Sequence, residues 1–301
     1  MKTVSILIKR NVKLFFKDKG MFFTALITPA ILLVLYATFL GNVYRDAFVT
    51  GMSSISPQLK IPSDILDGLV ATQLTSSILA VSCVTVAFCS NFLMVQDKAN
   101  GTIKDLTIAP ISSSTLLFGY YFATIISTLI ICLSATALCL VYVAFMGWYL
   151  SFVDVMLLIL DVILIVLFGT AISSVINYFL STQGQISAVG TIISSGYGFI
   201  CGAYMPISSF GVGLQRVIMF LPGTYATSLL RNHAMNGAFE ALLNDGFPPQ
   251  AVEGLKDAID CNIYFFDSPV SSGAMFAVLC LSIILFVGAY ILINKLKRKT
   301  K

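Results

Sequence analysis

Long uninterrupted apolar segments constrain this chain more than any other feature. Each is close to or above the roughly 20 residues that a helix needs to cross the hydrocarbon core of a bilayer, which is about 30 Å thick. The spanning strands of a membrane barrel would be shorter and would alternate. The sequence therefore predicts an all-α integral membrane protein with six transmembrane helices, at about 21–41, 69–95, 114–146, 155–180, 186–204 and 270–293.

The composition excludes a water-soluble globular domain. Of the 301 residues, 57% are hydrophobic and 11% are charged, whereas soluble domains carry about 25% charged residues. The mean hydropathy is +0.92. This much apolar surface needs lipid around it. Among the six segments, 186–204 is the weakest candidate because four glycines interrupt it.

Lysine and arginine predict the orientation of the chain in the membrane. The first 20 residues hold six cations and the stretch "NKLKRKTK" holds five, and cationic segments stay on the cytoplasmic side. We expect both termini and the segment 96–113 to be cytoplasmic, and 42–68 and 205–269 to face outward, as in a multi-pass protein of a bacterial plasma membrane. The net charge of +4 is then a topological signal and does not indicate nucleic-acid binding.

Residues 2–17 have the pattern of an amphipathic helix that lies on the membrane surface. At 100° per residue the cations of this stretch fall within an arc of about 100°, which suits contact with lipid headgroups. A solvated basic leader is the alternative. A cleaved signal peptide is disfavoured because no small-x-small cleavage site follows the first apolar run. The cations are Lys2, Lys9, Arg10, Lys13 and Lys17.

The outer segment 205–269 contains two short apolar stretches around the sequence Leu-Pro-Gly at 221–223. Proline ends one helix and can start the next. The sequence predicts a helix, a break and a second helix that are re-entrant or lie in the outer leaflet. The acidic stretch 240–267 is expected to form an exposed cap.

Few residues could support catalysis or metal binding. His233 is the only histidine, so no His-pair metal site exists, and we expect His233 to have a surface or interfacial role. The phosphate-binding motif G-x-x-x-x-G-K-[ST] is missing, so we predict no catalytic residue and no metal or nucleotide site on this chain. Among seven cysteines, Cys201 and Cys261 could meet at the outer face, and the sequence leaves their pairing open.

Asp161 is an acid deep within the fourth apolar segment. It lies seven residues, about 10 Å, beyond Asp154 on the same helical face. A carboxylate at the centre of a span costs about 2.5–3.5 kcal/mol and normally faces a cavity or a partner. Asp161 either lines the translocation path, bonds a hydroxyl on a neighbouring span, such as Thr124 or Ser127, or is simply protonated.

The charged stretch "QDKANGTIKDLTIAP" interrupts the apolar pattern between the second and third segments. Its charges and its Gly-Thr pair favour a turn and then a short amphipathic helix that ends before Pro110. Such a helix could fit a groove on another protein. An ordinary polar turn is the alternative.

Two motifs resemble the membrane-spanning permeases of type-2 ATP-binding-cassette exporters. The first is the coupling segment, in which Asp97, Lys98, Gly101, Thr102, Asp105, Leu106 and Pro110 would contact the ATPase. The second is the glycine-to-proline exit and the Pro-x-Thr-Tyr stretch, carried by Gly202, Pro206, Pro222, Gly223, Thr224, Tyr225 and Arg231. The chain departs from the family pattern at Ala99 and Asn100, at the reversed Lys104–Asp105 order and at Tyr120.

The resemblance implies a permease that exports a drug, natural product, peptide or lipid-like molecule. Two cytoplasmic ATPase subunits would bind ATP and Mg²⁺, and two permeases, identical or related, would form the path. The alternative is a proton- or ion-coupled carrier that uses Asp161. An intramembrane enzyme is disfavoured by the missing histidine and metal constellations.

Overall fold

The chain is built almost entirely from helices. The computed structural model describes residues 2–55, 59–108 and 111–299. Within these ranges five helices are long and apolar enough to cross a membrane, which confirms the predicted all-α membrane class. They are Lys19–Ser53, Ser63–Ala99, Ser113–Met146, Phe152–Phe179 and Ser272–Leu296.

The elements follow one another with short connections. The first part of the chain forms α1 (Lys2–Lys17), α2 (Lys19–Leu35), a π-helical turn (Tyr36–Leu40), α3 (Gly41–Ile55), α4 (Ser63–Ala99), α5 (Thr102–Ile108) and α6 (Ser113–Met146). The second part forms α7 (Phe152–Phe179), α8 (Gln183–Ile200), a 3₁₀ turn (Ile207–Ser209), α9 (Val212–Ile218), α10 (Pro222–Asn244), α11 (Pro249–Ala258), an antiparallel hairpin of β1 (Ile263–Phe265) and β2 (Ser268–Val270), and α12 (Ser272–Lys299).

The helix α4 is the centre of the fold. Every residue in 68–95 is buried, because α2, α6, α7, α8 and α10 all pack against it. Many of these residues are Ser, Thr, Ala or Cys, and small residues let helices approach closely in a membrane. At the closest approach of α7, a Cβ added to Gly169 would lie 3.1 Å from the Cα of Val84.

The first predicted span is longer than expected, and the segment 42–68 is not a plain outer loop. The helix continues through the π-helical turn into α3. The charges of Arg45 and Asp46 interrupt the apolar run, but Tyr44, Phe48 and Met52 recur every four residues and are buried, so they form one packed face of α3. Arg45 forms an ion pair with Asp67.

The expected fifth span corresponds to α8, which is not among the five helices named above. It has 18 residues, or about 27 Å of helix. Its serines and glycines make it less apolar than the other candidates. The predicted number of six transmembrane helices therefore depends on whether α8 crosses the membrane.

The outer segment is more folded than the sequence indicates. The stretch 240–267 was expected to form an exposed cap, but α10 continues to Asn244 and α11 buries Val252 and Leu255. Ile259 and Ile263 are buried beside them. The amphipathic pattern of α11 was hidden by its charges, and α11 packs on α3 and α10.

Replacement of Gly169 by valine should loosen the contact between α4 and α7. The added side chain would overlap the backbone of α4, and overpacking of this kind costs about 1–3 kcal/mol. Gly288→Val is the matched control, because nothing lies within 4 Å of a Cβ at Gly288. We expect only Gly169→Val to lower the melting temperature of the detergent-solubilised protein; equal melting temperatures would contradict the close packing.

Candidate coupling site

The short helix α5 begins at a sharp turn after α4. Gly101 has a φ of +81°, a left-handed conformation that glycine adopts without strain. Its amide donates to the carbonyl of Lys98 at 3.2 Å, and its carbonyl accepts from the amide of Lys104 at 2.8 Å. The Gly-Thr pair therefore ends one helix and starts the next, with Thr102 as the first residue of α5.

Most of α5 is presented to the outside of the molecule. None of its residues is buried, and Lys104, Asp105 and Thr107 are exposed. Ile108 is 83% exposed, whereas Leu106 is half-buried and Ile103 packs against the core. The result is an amphipathic helix with a free face. Pro110, which the sequence places in this site, lies outside the described residues.

Asp97, in the last turn of α4, is bound inside the protein. One carboxylate oxygen accepts from the hydroxyl of Tyr120 at 2.5 Å and from the guanidinium of Arg10 at 3.0 Å. Burial acts to lower the pKa of Arg10, but the hydrogen bond and negative charge of Asp97, together with Tyr120, outweigh it, so the pKa is raised above its ordinary value. Asp97 thus ties α4 to α1 and α6.

Lys98 points to a different neighbour. Its ammonium group donates to the carbonyls of Asn177, Tyr178 and Leu180, at 3.1, 2.6 and 3.1 Å. These carbonyls belong to the end of α7, where a helix has unpaired acceptors and a partial negative charge. Lys98 therefore fastens α4 to α7.

These contacts change the interpretation of the coupling segment. The sequence assigned Asp97 and Lys98 to ATPase contact together with Asp105, but both of the first two are engaged within this chain. The exposed part is α5 itself. Arg10 and Tyr120 belong to the site and were missed, because Arg10 is one of several cations on α1 and Tyr120 lies in an apolar span.

A large side cleft opens between α2, α4 and α8. It has a volume of about 740 Å³, within the range of roughly 300–1,000 Å³ typical of ligand sites. Its wall combines apolar side chains with hydroxyl groups from α8. The lining includes Met21, Ile31, Leu32, Phe92, Ser187, Thr191, Ser194 and Ser195.

Asp161 has a partner that the sequence analysis did not suggest. One of its oxygens lies 2.6 Å from Nδ1 of His233 in α10, and the side chains are 1% and 13% exposed. The imidazole also stacks on Phe276 of α12. Thr124 and Ser127, the hydroxyls considered as partners, instead line a small cavity beside α1. The two residues are 72 positions apart, so no local pattern in the sequence indicates this pair.

Local contacts and hydrogen bonds fix the break between α9 and α10, at residues 219–223. Pro222 is the first residue of α10, and Gly223 lies so close to Tyr197 that a Cβ would be 2.6 Å from its hydroxyl. Tyr225 donates its hydroxyl to the carbonyl of Met219 at 2.6 Å. Pro206 precedes the 3₁₀ turn. Pro222, Gly223 and Tyr225 shape the turn between α9 and α10, and Pro206 lies before α9.

A buried ion pair fixes Asp260 and the turn that follows α8 to α10. Arg231, which is 2% exposed, lies 3.4 Å from Asp260 and donates to the carbonyl of Gly202. Asp260 also accepts from the amide of Ile207 at 2.8 Å. Burial raises the pKa of Asp260, although Arg231 opposes the rise. Cys201 and Cys261 are both free thiols, and burial raises the pKa of Cys261 to about 12.

Comparison with known proteins gives one family. The model of the ABC-2 type transporter family matches residues 2–234, which include α1, α5, the side cleft and the start of the outer segment. A search of curated proteins gave no significant match.

Replacement of Arg10 by glutamine should release α1 from α4. A hydrogen bond to a charged group contributes about 1.5–3 kcal/mol, so we expect faster amide hydrogen exchange in residues 2–17. Lys9→Gln is the control, since Lys9 is exposed on the same helix. If both variants exchange equally fast, the surface charge of α1 and not the bond to Asp97 holds the helix.

Replacement of His233 by leucine should leave the buried Asp161 without its partner. A buried polar group that loses its hydrogen-bond partner costs about 1–3 kcal/mol, and more if it is charged. Asp161→Asn in the same background should restore part of this loss, because the amide carries no charge. Melting temperatures of the wild type, the two single variants and the double variant form a double-mutant cycle, and purely additive losses would show that the pair contributes nothing.

Proposed function

The chain belongs to the ABC-2 type transporter family and is a membrane permease that works with ABC ATPase partners, and from this premise we propose an ATP-driven exporter. Two ATPase subunits, which carry the ATP and Mg²⁺, dock on α5 of two permeases, identical or closely related. The substrate is a hydrophobic or amphipathic molecule such as a drug, natural product, peptide or lipid-like compound, and the chain itself has no enzymatic activity.

The observation that carries this proposal is the contrast between α5 and α4. The helix α5 has no buried residue and ends in the largely exposed Ile108. It continues directly from α4, which is enclosed by the other helices. A force applied to α5 by a partner would therefore act on the middle of the bundle.

The positions of the basic segments support a cytoplasmic location for α5. Arg10 of α1 contacts Asp97 just before α5, and Asn294 of α12 lines a cleft together with Ile103 of α5. Both cationic ends of the chain thus lie on the side of α5. The positive-inside rule then assigns that side to the cytoplasm.

The ends of α8 support a sixth crossing. Its N-terminal end follows Leu180, whose carbonyl binds Lys98 on the proposed inner side. Beyond its C-terminal end, Gly202 binds Arg231 beneath the outer cap. We propose that α8 crosses the membrane despite its modest apolarity, with its hydroxyl-bearing face on the side cleft.

The side cleft supports an amphipathic substrate. The hydroxyls of Ser187, Thr191 and Ser194 lie on one wall and apolar side chains on the others. Such a lining can bind an apolar body and a few polar groups. We propose this cleft as the place where the substrate leaves the membrane and enters the path.

Asp161 remains a proposal for the translocation path. In this conformation it is enclosed by His233, and only separation of α10 from α7 would expose it. The alternative, a carrier driven by protons through Asp161, is less well supported because it gives no role to α5. Transport that follows a proton gradient without any ATPase would favour that alternative.

Ile108→Ser tests the docking of the ATPase. Loss of an exposed apolar side chain that inserts into a partner costs about 1–2 kcal/mol, which is about 5- to 30-fold in binding. We expect the variant to lose co-purification with the ATPase subunit and to lose stimulation of ATP hydrolysis.

Phe145→Ser is the matched control for this experiment. Phe145 is 85% exposed, as Ile108 is 83% exposed, but it lies near the opposite end of α6. Its replacement should leave the binding of the ATPase unchanged. Equal binding by the two variants would contradict docking on α5.

A further inference from the structure

A second cleft lies behind α5 at the inner end of the bundle. It has a volume of about 350 Å³ and is bounded by α4, α5, α6, α7 and α12. It differs from the side cleft in its location, because α5 itself forms one wall. The lining residues that bear on its chemistry are Met94, Lys98, Ile103, Ser113, Leu116 and Asn294.

The lining of this cleft is amphipathic. Met94, Ile103 and Leu116 supply apolar surface, and Ser113 and Asn294 supply polar groups. Among the described residues that line the cleft, Lys98 is the only charged one and none is an acid. The carbonyls at the end of α7 bind the Lys98 ammonium group, so the charge that attracts an anion comes from cations beside the cleft.

Further cations flank the cleft. Lys104 follows Ile103 in α5, Lys295 follows Asn294 in α12, and both are exposed. Each cation near an anionic membrane surface contributes about 1 kcal/mol to its attraction. Asp105 lies about 200° around α5 from Ile103, on the opposite face.

We propose that this cleft binds one anionic phospholipid of the inner leaflet. The phosphate lies at the rim with Ser113 and Asn294, and the start of the acyl chains lies on Met94, Ile103 and Leu116. The choice of a lipid rests on the cytoplasmic orientation proposed above. The bound lipid would hold α5 at a fixed distance from α6 and α12, so it would set the position from which the ATPase moves α5.

Ser113→Glu and Ser114→Glu form a matched pair for the test. Both residues lie in the first turn of α6, where an acid is favourable to the helix, so both variants should fold. Only Ser113 lines the cleft. The purified full chain, without ATPase, is titrated in neutral detergent with phosphatidylglycerol or with phosphatidylcholine of the same acyl chains, and bound lipid is counted by native mass spectrometry.

We expect the wild type to retain one phosphatidylglycerol and to bind phosphatidylcholine more weakly. Ser113→Glu should weaken phosphatidylglycerol about fivefold, which corresponds to about 1 kcal/mol for one charge, and Ser114→Glu should leave it unchanged within about twofold. Equal binding of the two lipids, or equal effects of the two variants, would overturn the proposal.

Two competitors of phosphatidylglycerol, added in separate experiments, test whether the cleft binds something other than a lipid. Displacement of phosphatidylglycerol by millimolar inorganic phosphate would assign the cleft to a soluble anion, and displacement by the ATPase subunit would assign it to the protein interface. Either result would overturn the lipid site. Because the titration uses the permease alone, its outcome does not depend on whether Ile108 docks the ATPase.

Discussion

The adjacent charges Asp97 and Lys98 hold the C-terminal end of the central helix α4, and the arrangement of the bundle depends on them. Successive residues of a helix point about 100° apart, so an acid and a base side by side reach different neighbours. Asp97 binds Arg10 of α1 and Tyr120 of α6, and Lys98 binds the end of α7. Unpaired charges at this depth would be costly. Here each is compensated by a separate helix, so the two charges join four helices at one point.

The outer end is held by a comparable but more deeply buried contact. Arg231 is almost fully enclosed and reaches both Asp260 of the cap and the carbonyl of Gly202. A buried guanidinium needs this many acceptors to offset its lost hydration. The turn after α8, the 3₁₀ turn and the residues around Asp260 are therefore fixed relative to α10. Between these two ends, α4 is held mainly by apolar packing and by hydrogen bonds such as that of Asn91 to Ser173.

The sequence predicted the helices well where a single periodic pattern was uninterrupted, and it failed where tertiary contacts neutralise charge. The apolar runs of α4, α6 and α7 were long enough to identify from the sequence alone, and Gly101 indicated the turn before α5. The helix α3 was missed because Arg45 and Asp46 look like a loop until Asp67 lies beside Arg45. The same reason hid Arg10 and His233, since the pairing of Asp161 with His233 links residues 72 positions apart and no local pattern reports it.

The contacts at the end of α4 that adjoins α5 determine how a movement of α5 is transmitted to the other helices. A loosely attached α5 would swing about Gly101 and transmit little. Here the residues just before Gly101 are fastened to α1, α6 and α7, and α4 extends 37 residues, about 55 Å, toward the outer cap. Packed helices resist bending because the interior is densely filled. A displacement of α5 would therefore tilt α4 together with α1, α6 and α7. This would open the structure at the faces where α4 meets α2 and α8, which border the side cleft.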